Sequence, residues 1–199
     1  MHMKTTAPMR KMLLQHGYPY SNIMVFVETG TFMGKTAELF APMFKKLHTI
    51  EINEGLWLRA RKRGEDLHLD NVIYHHGDSA QVLTELAESI REPVVWELDA
   101  HFCRHKSPTM TERPEHGAFP LFAELAAIAA RPYADIVIVD DSPNFGRVRR
   151  DLRQPGTTEP QWEAVSRESI IDALGGPARV IADENFVKSW FFWRNEVQP

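Results

Sequence analysis

Val27-Glu28-Thr29-Gly30-Thr31-Phe32-Met33-Gly34 joins an apolar run at residues 23–28 to a stretch of helical character at residues 36–46. In that second stretch the apolar residues are spaced as they are on one face of a helix. Glycines at positions 30 and 34 let the backbone turn tightly, and they let a ligand approach the chain without obstruction by a Cβ atom. The helix that follows has unpaired N–H groups at its amino end, which suit a ligand carboxylate. The stretch therefore predicts a strand, a ligand-binding turn and a helix.

The same order of strand and helix repeats along the chain. Apolar, strand-like runs occur at residues 47–51, 71–75, 93–99 and 134–140, and helical runs occur at residues 54–67, 79–90, 119–130 and 162–174. Strands that alternate with helices predict a parallel sheet covered on both faces, which is the Rossmann-like, doubly wound α/β architecture.

The last two strand-like runs break this rhythm. Residues 178–182 and 187–193 are separated only by Asp183-Glu184-Asn185-Phe186. So short a link has no room for a crossover helix, and the two strands must therefore form an antiparallel hairpin. Together with the five preceding strands they predict a seven-stranded sheet, mostly parallel, with a C-terminal antiparallel hairpin.

Composition limits the possible classes of protein. A chain of 199 residues is long enough for one domain, and we expect residues 23–199 to form that domain and residues 1–22 to be a helical segment or lid. The net charge of −4 argues against nucleic acid or an anionic membrane as a partner. The single cysteine, Cys103, excludes an intrachain disulfide and favours a reducing compartment, the cytoplasm. No apolar run approaches the ~20 residues that span a bilayer.

Three acidic residues lie at the ends of the first three predicted strands. Glu28 precedes the first glycine and can face an ammonium group of the ligand, and Glu51 ends the second strand, where a carboxylate can accept from both ribose hydroxyls. Asp78 is placed to meet an adenine amine. Each position has a structural alternative, because Glu51 could be a solvated strand end and Asp78 or Ser79 could cap the next helix. Jointly, the three acids favour a nucleoside-binding site.

Dinucleotide binding is the competing interpretation of the glycine-rich turn. Its fingerprint G-x-G-x-x-G would require glycines at positions 32 and 35, where the chain has Phe32 and Lys35. The tight turn that cradles a pyrophosphate is therefore not encoded, whereas a ligand without phosphates tolerates the looser loop. An NAD-linked oxidoreductase is the alternative class of enzyme.

The order of these motifs resembles that of class I methyltransferases that use S-adenosylmethionine (SAM). The resemblance covers about residues 23–193 and rests on the segments Glu28–Gly34, Ile50-Glu51, Gly77-Asp78-Ser79, Glu97–His101 and Val139-Asp140-Asp141. It implies SAM as the methyl donor and a cofactor site that includes Glu28, Gly30, Thr31, Phe32, Gly34, Glu51, Asp78, Ser79 and Asp99. The chain departs from the family at Phe32, where the family usually has its middle glycine.

A second group of acids is expected where the fourth and fifth strands end. Asp99 ends one strand and Asp140-Asp141 ends the other, and the two strands are neighbours in this architecture. Three carboxylate ligands suit Mg²⁺, which would draw a substrate hydroxyl toward the alkoxide. The pattern resembles that of cation-dependent O-methyltransferases, especially those that act on antibiotic sugars. The alternative is that Asp140 and Asp141 cap a turn before Pro143, while Asp99 contacts SAM or substrate without a metal.

His101 is the candidate general base, and with Asp99 it forms the predicted catalytic pair. Histidine suits proton transfer because it ordinarily titrates near neutral pH. An orienting hydrogen bond to Asp99 is an equally good role for this side chain. A third interpretation places His101, Cys103 and His105 on one side of an extended segment, where they could bind Zn²⁺.

The remaining motifs concern packing and substrate. We expect His75-His76 to pack against a helix layer, and the arginines at positions 147, 149, 150 and 153 to be a solvated charge run or a contact for an anionic substrate. The predicted reaction is O-methylation of a small hydroxylated molecule, a sugar or natural product, by a protein that could form homo-oligomers. A SAM-binding protein without methyl transfer is the non-catalytic alternative.

Overall fold

The computed structural model describes residues 23–101, 119–148, 162–177, 180–185 and 189–194. The predicted lid at residues 1–22 and the greater part of the two long loops lie outside these ranges. Within them the chain alternates between strands and helices, as the sequence predicts. No helix in this part of the chain is both long and apolar enough to cross a membrane.

The strands of the described chain form one sheet. Their bounds are β1 Val25–Thr29, β2 Lys46–Glu51, β3 Val72–His76, β4 Val94–Leu98, β5 Ile136–Val139, β6 Val180–Asn185 and β7 Trp190–Arg194. The sheet is seven-stranded, in the order β3-β2-β1-β4-β5-β7-β6. Neighbours among β1–β5 are parallel, whereas β7 is antiparallel to both β5 and β6. The predicted, mostly parallel sheet with a C-terminal antiparallel pair is confirmed.

The helices that connect these strands agree with the predictions in place and differ in length. They are α1 Lys35–Phe40, α2 Glu54–Asp66, α3 Ser79–Ser89, α4 Leu121–Ala129 and α5 Arg167–Ala173. Helix α1 ends early because Pro42 has no N–H to continue it, and a 3₁₀ turn follows at Ala41–Met43. The predicted helix 162–174 is divided because Ser166 and Ser169 form a capping box that starts α5 anew.

Apolar side chains cover both faces of the sheet. On one face, Phe26 of β1 stacks on Phe40 of α1 with ring centroids 4.7 Å apart. On the opposite face, Trp96 of β4 and Leu125 of α4 belong to the larger cluster, which also includes residues of α3 and α5. The sheet is therefore doubly wound, and its strand order reverses between β1 and β4. The carboxyl ends of these two strands border the crevice where such sheets bind ligands.

At the opposite, amino-terminal end of β4 and β5, a buried carboxylate lies between two arginines. Asp135 Oδ2 is 2.8 Å from Arg131 Nε and 3.3 Å from Arg194 Nη1, and its Oδ1 accepts from the backbone N–H of Val94 at 2.9 Å. The three side chains are at most 3% exposed. Further N–H groups of the two arginines donate to backbone carbonyls, those of Ala87, Ile90 and Glu92 for Arg131 and those of Ile128, Ala129 and Arg131 for Arg194.

This network should make a large contribution to stability. In Asp135→Asn, two buried guanidinium groups lose their counter-charge, and we expect a loss of about 3–5 kcal/mol in the free energy of unfolding. Urea unfolding followed by circular dichroism measures the loss. Asp172→Asn, at an exposed position on α5, is the matched control and should change the free energy by less than about 0.5 kcal/mol. Equal stability of the two variants would contradict the proposed contribution.

Two histidines form a pair between β2 and β3. His48 is 7% exposed, and its Nδ1 lies 2.9 Å from His75 Nε2. Burial, together with His75 and Lys46, lowers the pKa of His48 to about 4. Burial also lowers the pKa of His75, although Glu85 opposes the shift. His76 stacks on the ring of Trp57, so the packing role predicted for the His75-His76 pair is confirmed.

Acid should unfold the protein partly through His48. The folded chain binds a proton there only near pH 4, whereas the unfolded chain binds it near pH 6.5. The unfolded state therefore holds more protons between these values, and the free energy of unfolding falls by about 2–3 kcal/mol as the pH drops through them. His48→Gln should flatten this dependence in urea titrations at several pH values, and His68→Asn, at an exposed position, should not. An identical slope in wild type and His48→Gln would refute the assignment.

Candidate functional site

The glycine-rich turn closes over the carboxyl end of β1. Gly30 has a φ of 84°, and a Cβ atom at this position would lie 2.8 Å from the carbonyl oxygen of Asp99. Gly34 has a φ of 71°, and its Cβ would approach Ala60 of α2 to 3.2 Å. Both residues therefore have left-handed backbones, and their neighbours leave little space for a side chain. The sequence predicted glycine at these positions because a ligand approaches the backbone. The structure gives a second reason, since the chain itself packs closely against both residues.

Phe32 lies at the tip of the turn and has the left-handed φ of 48° that glycine would adopt easily. Its N–H donates to Glu51 Oε2 at 2.8 Å, which fixes the backbone in this conformation. The side chains of Phe32 and Met33 are each 38% exposed. A bulky residue thus occupies this glycine-like position with its side chain more than one-third exposed.

Glu51 holds two segments of the crevice together. Besides the bond to Phe32, its Oε1 accepts from the backbone N–H of Asn53 at 2.9 Å, and the residue is only 7% exposed. The alternative interpretation of Glu51 as a solvated strand end is therefore wrong. A carboxylate has about four acceptor directions, so two backbone bonds are compatible with the predicted bonds to ribose hydroxyls.

Glu28 is connected to the turn through two hydroxyl groups. Thr49 Oγ1 donates to Glu28 Oε2 at 2.6 Å, and Thr31 Oγ1 lies 2.6 Å from Thr49 Oγ1. Since the single hydroxyl proton of Thr49 is used, Thr31 must donate to Thr49. Burial raises the pKa of Glu28 to about 8, against the lowering effect of its hydrogen bonds to Thr49 and Thr36. A cationic ligand nearby would favour the ionised form of Glu28, in line with the predicted ammonium contact.

Asp78 begins the helix that follows β3. Its Oδ1 accepts from the N–H of Ala80 at 2.9 Å, so the capping interpretation of Asp78 is confirmed. Ser79 is the first residue of α3, and both residues are less than 9% exposed. The contact between Asp78 and adenine stays a prediction, and the cap leaves Asp78 near the end of β2, since Gly77 N–H donates to the carbonyl of Glu51.

Three side chains meet where β4 and β5 end. His101 Nε2 is 3.0 Å from Asp141 Oδ2 and 3.9 Å from Asp99 Oδ1. One potential ligand atom from each residue lies within 4.8 Å of the others, which is a spacing that a metal ion can bridge. We refer to Asp99, His101 and Asp141 as the acid–histidine cluster.

The cluster differs from the predicted set of three carboxylates. The chain bends at Asp141, which has a left-handed φ of 63°, just before Pro143. As a result Asp141 faces His101, whereas Asp140 Oδ1 accepts from Ser189 Oγ at 2.7 Å. The predicted bend is therefore present, but it brings His101 rather than Asp140 into the group. The bond to Ser189 explains why the sequence alone could not indicate which aspartate would point to the cluster.

Negative charge accumulates around this cluster. Burial and the neighbouring carboxylate of Asp140 raise the pKa of Asp99 well above its usual range, whereas His101 lowers it. The pKa of Glu97 is raised in the same way, by burial and then by Glu28, Asp99 and Asp140. A cation bound here would relieve this repulsion and stabilise the ionised carboxylates.

A pocket opens beside the cluster and has an aromatic wall. Trp162 contacts His101 edge-on at a centroid distance of 5.1 Å and packs on Phe119 at 4.7 Å. The residues that line the pocket are Leu98, Asp99, Ala100, His101, Phe119, Leu121, Glu124, Val139, Asp140, Asp141, Phe145 and Trp162. The pocket therefore combines polar groups at its base with apolar and aromatic walls, as small-molecule sites do.

Sequence reasoning did not single out Glu124, Phe145 or Trp162. The sequence does contain a signal for Glu124. This acid lies on the apolar side of a helical pattern, where its neighbours are Leu121, Leu125 and Ile128, and so its burial could have been predicted. Arg147, at the edge of the described chain, is exposed. Cys103, His105 and the other arginines of the predicted charge run lie outside the described residues.

The fold agrees with that of solved methyltransferases. An O-methyltransferase from Bacillus cereus, in complex with SAH, superimposes with a TM-score of 0.62 at 19% identity over 97% of this chain and 84% of that chain. The O-methyltransferase TomG from Streptomyces achromogenes, involved in tomaymycin synthesis and in complex with SAM, gives a TM-score of 0.61 at 19% identity, over 98% and 82% of the two chains.

A protein from Clostridium thermocellum described as an rRNA-methylase candidate gives a TM-score of 0.56 at 12% identity, over 92% of this chain and 97% of that one. No protein-family model matches the chain, and no curated protein matches it. At these identities the similarity shows the fold alone, which this chain shares with these methyltransferases. The fold alone does not fix the substrate.

Glu51 provides the sharpest test of the cofactor site. Glu51→Ala removes the carboxylate, and Glu51→Gln places an amide NH₂ against one of the two backbone N–H donors. We expect each change to weaken SAM binding by about 2 kcal/mol, or roughly thirtyfold, in calorimetric titrations. Glu54→Gln, at an exposed position in the first turn of α2, is the control and should bind as wild type does. Wild-type affinity in both Glu51 variants would show that this carboxylate does not support the site.

Proposed function

We propose that this protein is a SAM-dependent methyltransferase that methylates a hydroxyl oxygen of a small molecule. The observation that carries the proposal is the acid–histidine cluster, in which His101 lies 3.0 Å from Asp141 beside a pocket. The cluster follows β4 and β5, next to the Gly30 turn, and the N–H of Asp99 donates to the carbonyl of Thr29 just before that turn. A proton acceptor, carboxylates and a predicted cofactor turn thus border one crevice.

The residues present fit SAM as the ligand of the turn. Glu28 and Glu51 are buried acids on neighbouring strands, and they match the ammonium and the ribose hydroxyls of SAM in charge and hydrogen-bonding capacity. Burial raises the pKa of Glu28 and of Asp99, and a positively charged ligand at this end of the sheet would stabilise their ionised forms. SAM itself carries the positive sulfonium.

The residues also fit a divalent cation. Asp99 and Asp141 offer carboxylate oxygens beside the His101 ring, and Asp140 is close enough to raise the pKa of Asp99. Oxygen-rich sites of this kind suit Mg²⁺ or Mn²⁺. When bound, SAM supplies the methyl group and the cation supplies positive charge that makes the acceptor hydroxyl more acidic.

His101 is the proton acceptor in this proposal. Its Nε2 lies 3.0 Å from Asp141, whose carboxylate orients the ring and stabilises the imidazolium that forms when Nδ1 takes the hydroxyl proton. The imidazolium or a cation would favour the ionised form of Asp99, which then holds the acceptor or the cation. Trp162 packs edge-on against the His101 ring and restricts its rotation.

The pocket favours a small, partly apolar acceptor. The ring centroids of Phe119 and Phe145 lie 4.7 and 6.0 Å from that of Trp162. The three rings form an aromatic wall that suits the flat face of a sugar or a phenol. The chain's net charge of −4 and the acidic crevice disfavour a polyanionic acceptor such as RNA. A sugar, a phenol or a related natural product is therefore the proposed substrate class.

Chelation and one substitution test this mechanism. With SAM and a panel of hydroxylated sugars and phenols, turnover should fall after EDTA treatment and return with Mg²⁺ or Mn²⁺. His101→Gln should lower turnover by about 10²–10⁴-fold and leave SAM affinity unchanged, whereas His68→Asn should leave both unchanged.

Mn²⁺ binding gives a readout that does not depend on turnover. Electron paramagnetic resonance should detect one bound Mn²⁺ in wild type and weaker binding in Asp141→Asn. Full turnover in EDTA would remove the cation from the mechanism and leave His101 as a metal-free base. Methylation of RNA instead of the small molecules would overturn the substrate class, and tight NAD binding without SAM binding would overturn the class of enzyme.

A further inference from the structure

Glu124 is a buried acid that the proposed mechanism does not use. It lies in the first turn of α4 and is 0% exposed. Leu121 and Leu125, its neighbours on the helix, belong to the apolar core, yet Glu124 also lines the pocket that contains Asp99 and His101. An acid at this position is therefore placed between the core and the site.

The carboxyl group has no hydrogen bond in the described part of the chain. Neither Oε1 nor Oε2 of Glu124 has a partner in hydrogen-bonding geometry. Glu28 and Glu51, by contrast, each accept at least one hydrogen bond. A fully buried polar group without a partner weakens the fold, and a leucine of similar size would cost the ligand-free protein nothing. Such a group is more readily explained by a role in binding than by a role in folding.

Two hydroxyl groups lie near this carboxyl group. Burial raises the pKa of Glu124 to about 7, while the hydroxyls of Ser79 and Thr29, which lie close to the carboxyl group without reaching hydrogen-bonding geometry, lower it and the carboxylate of Asp78 raises it. Thr29 Oγ1 in turn accepts from the N–H groups of Asp99 and Ala100, both at the long distance of 3.3 Å. Glu124 therefore lies close to the end of β1 and to the start of α3.

These two segments border the nucleoside end of the proposed SAM site. Ser79 follows Asp78, which is predicted to meet adenine, and Thr29 precedes the Gly30 turn. From this placement we infer that Glu124 is a positioning residue, whose carboxyl group accepts the hydroxyl protons of Thr29 and Ser79 when a SAM nucleoside occupies the crevice. This inference rests on the proposed function, because it assigns a role toward the same ligand.

The hydrogen-bonding capacity of the three side chains supports this arrangement. Each hydroxyl has one proton to donate, and a carboxylate has two oxygens that accept. Thr29 uses its lone pairs for the N–H groups of Asp99 and Ala100, so its proton is available to Glu124. Closure of these bonds would fix β1, the loop after β4 and α3 relative to one another around the ligand.

The test separates stability from affinity. Glu124→Leu fills the same space without polar atoms, and its ligand-free melting temperature should equal or exceed that of wild type. Its SAM affinity, measured by calorimetry, should fall at least thirtyfold. Glu124→Gln can still accept one hydroxyl proton, so it should weaken binding by only three- to tenfold. Ile128→Val, a core substitution on the same helix, should lower the melting temperature and leave affinity unchanged.

A mutant cycle gives a second criterion. Ser79→Ala removes one of the two hydroxyl groups, so Glu124→Gln should have a smaller effect in that background than in wild type. Unchanged SAM affinity in Glu124→Leu would overturn the inference. If Glu124→Leu does not fold, the cycle decides, and additive effects of Ser79→Ala and Glu124→Gln overturn it. Absence of SAM binding by wild type would instead refute the proposed function.

Discussion

The carboxylate of Asp135, held between Arg131 and Arg194, is the constraint on which the rest of the structure depends. It lies at the amino-terminal end of β4 and β5. The two arginines that bind it also donate to backbone carbonyls at the carboxyl-terminal ends of α3 and α4, and Arg194 itself belongs to β7. A buried ion-pair network that also bonds to several backbone carbonyls holds these elements in one arrangement. With this end of the sheet fixed, the opposite end can tolerate polar groups that contribute little to folding.

The two ends of the sheet consequently differ in charge balance. At the amino end, the buried acid is matched by arginines. At the carboxyl end, the charged neighbours that raise the pKa of Glu97 are all carboxyl groups. The neighbours that raise the pKa of Asp99 are also carboxyl groups, and only His101 lowers it. Excess negative charge in a poorly solvated crevice is unfavourable until a cation enters it. Both the sulfonium of SAM and a divalent metal would meet that requirement.

The layout of the sheet could be predicted because it depends on local patterns. Apolar runs, helical spacing and the short link before β7 indicated a mostly parallel sheet that ends in an antiparallel hairpin. The start of α3 at Ser79 followed from a capping pattern. What could not be predicted is where adjacent side chains point. Asp140 and Asp141 are consecutive, and only the left-handed backbone at Asp141 and the hydroxyl of Ser189 separate their directions. That information resides in tertiary contacts between distant segments.

Phe32 shows how such tertiary contacts can replace a local preference. A glycine would adopt the left-handed backbone of the turn at little cost, whereas for phenylalanine this backbone costs about 1–2 kcal/mol. The hydrogen bond from its N–H to Glu51 offsets part of that cost, and it ties the turn to the end of β2. The same carboxylate that is proposed to bind ribose therefore also shapes the turn above it. A loss of Glu51 would release the strained backbone, and so the geometry of the turn and the affinity of the site are expected to change together.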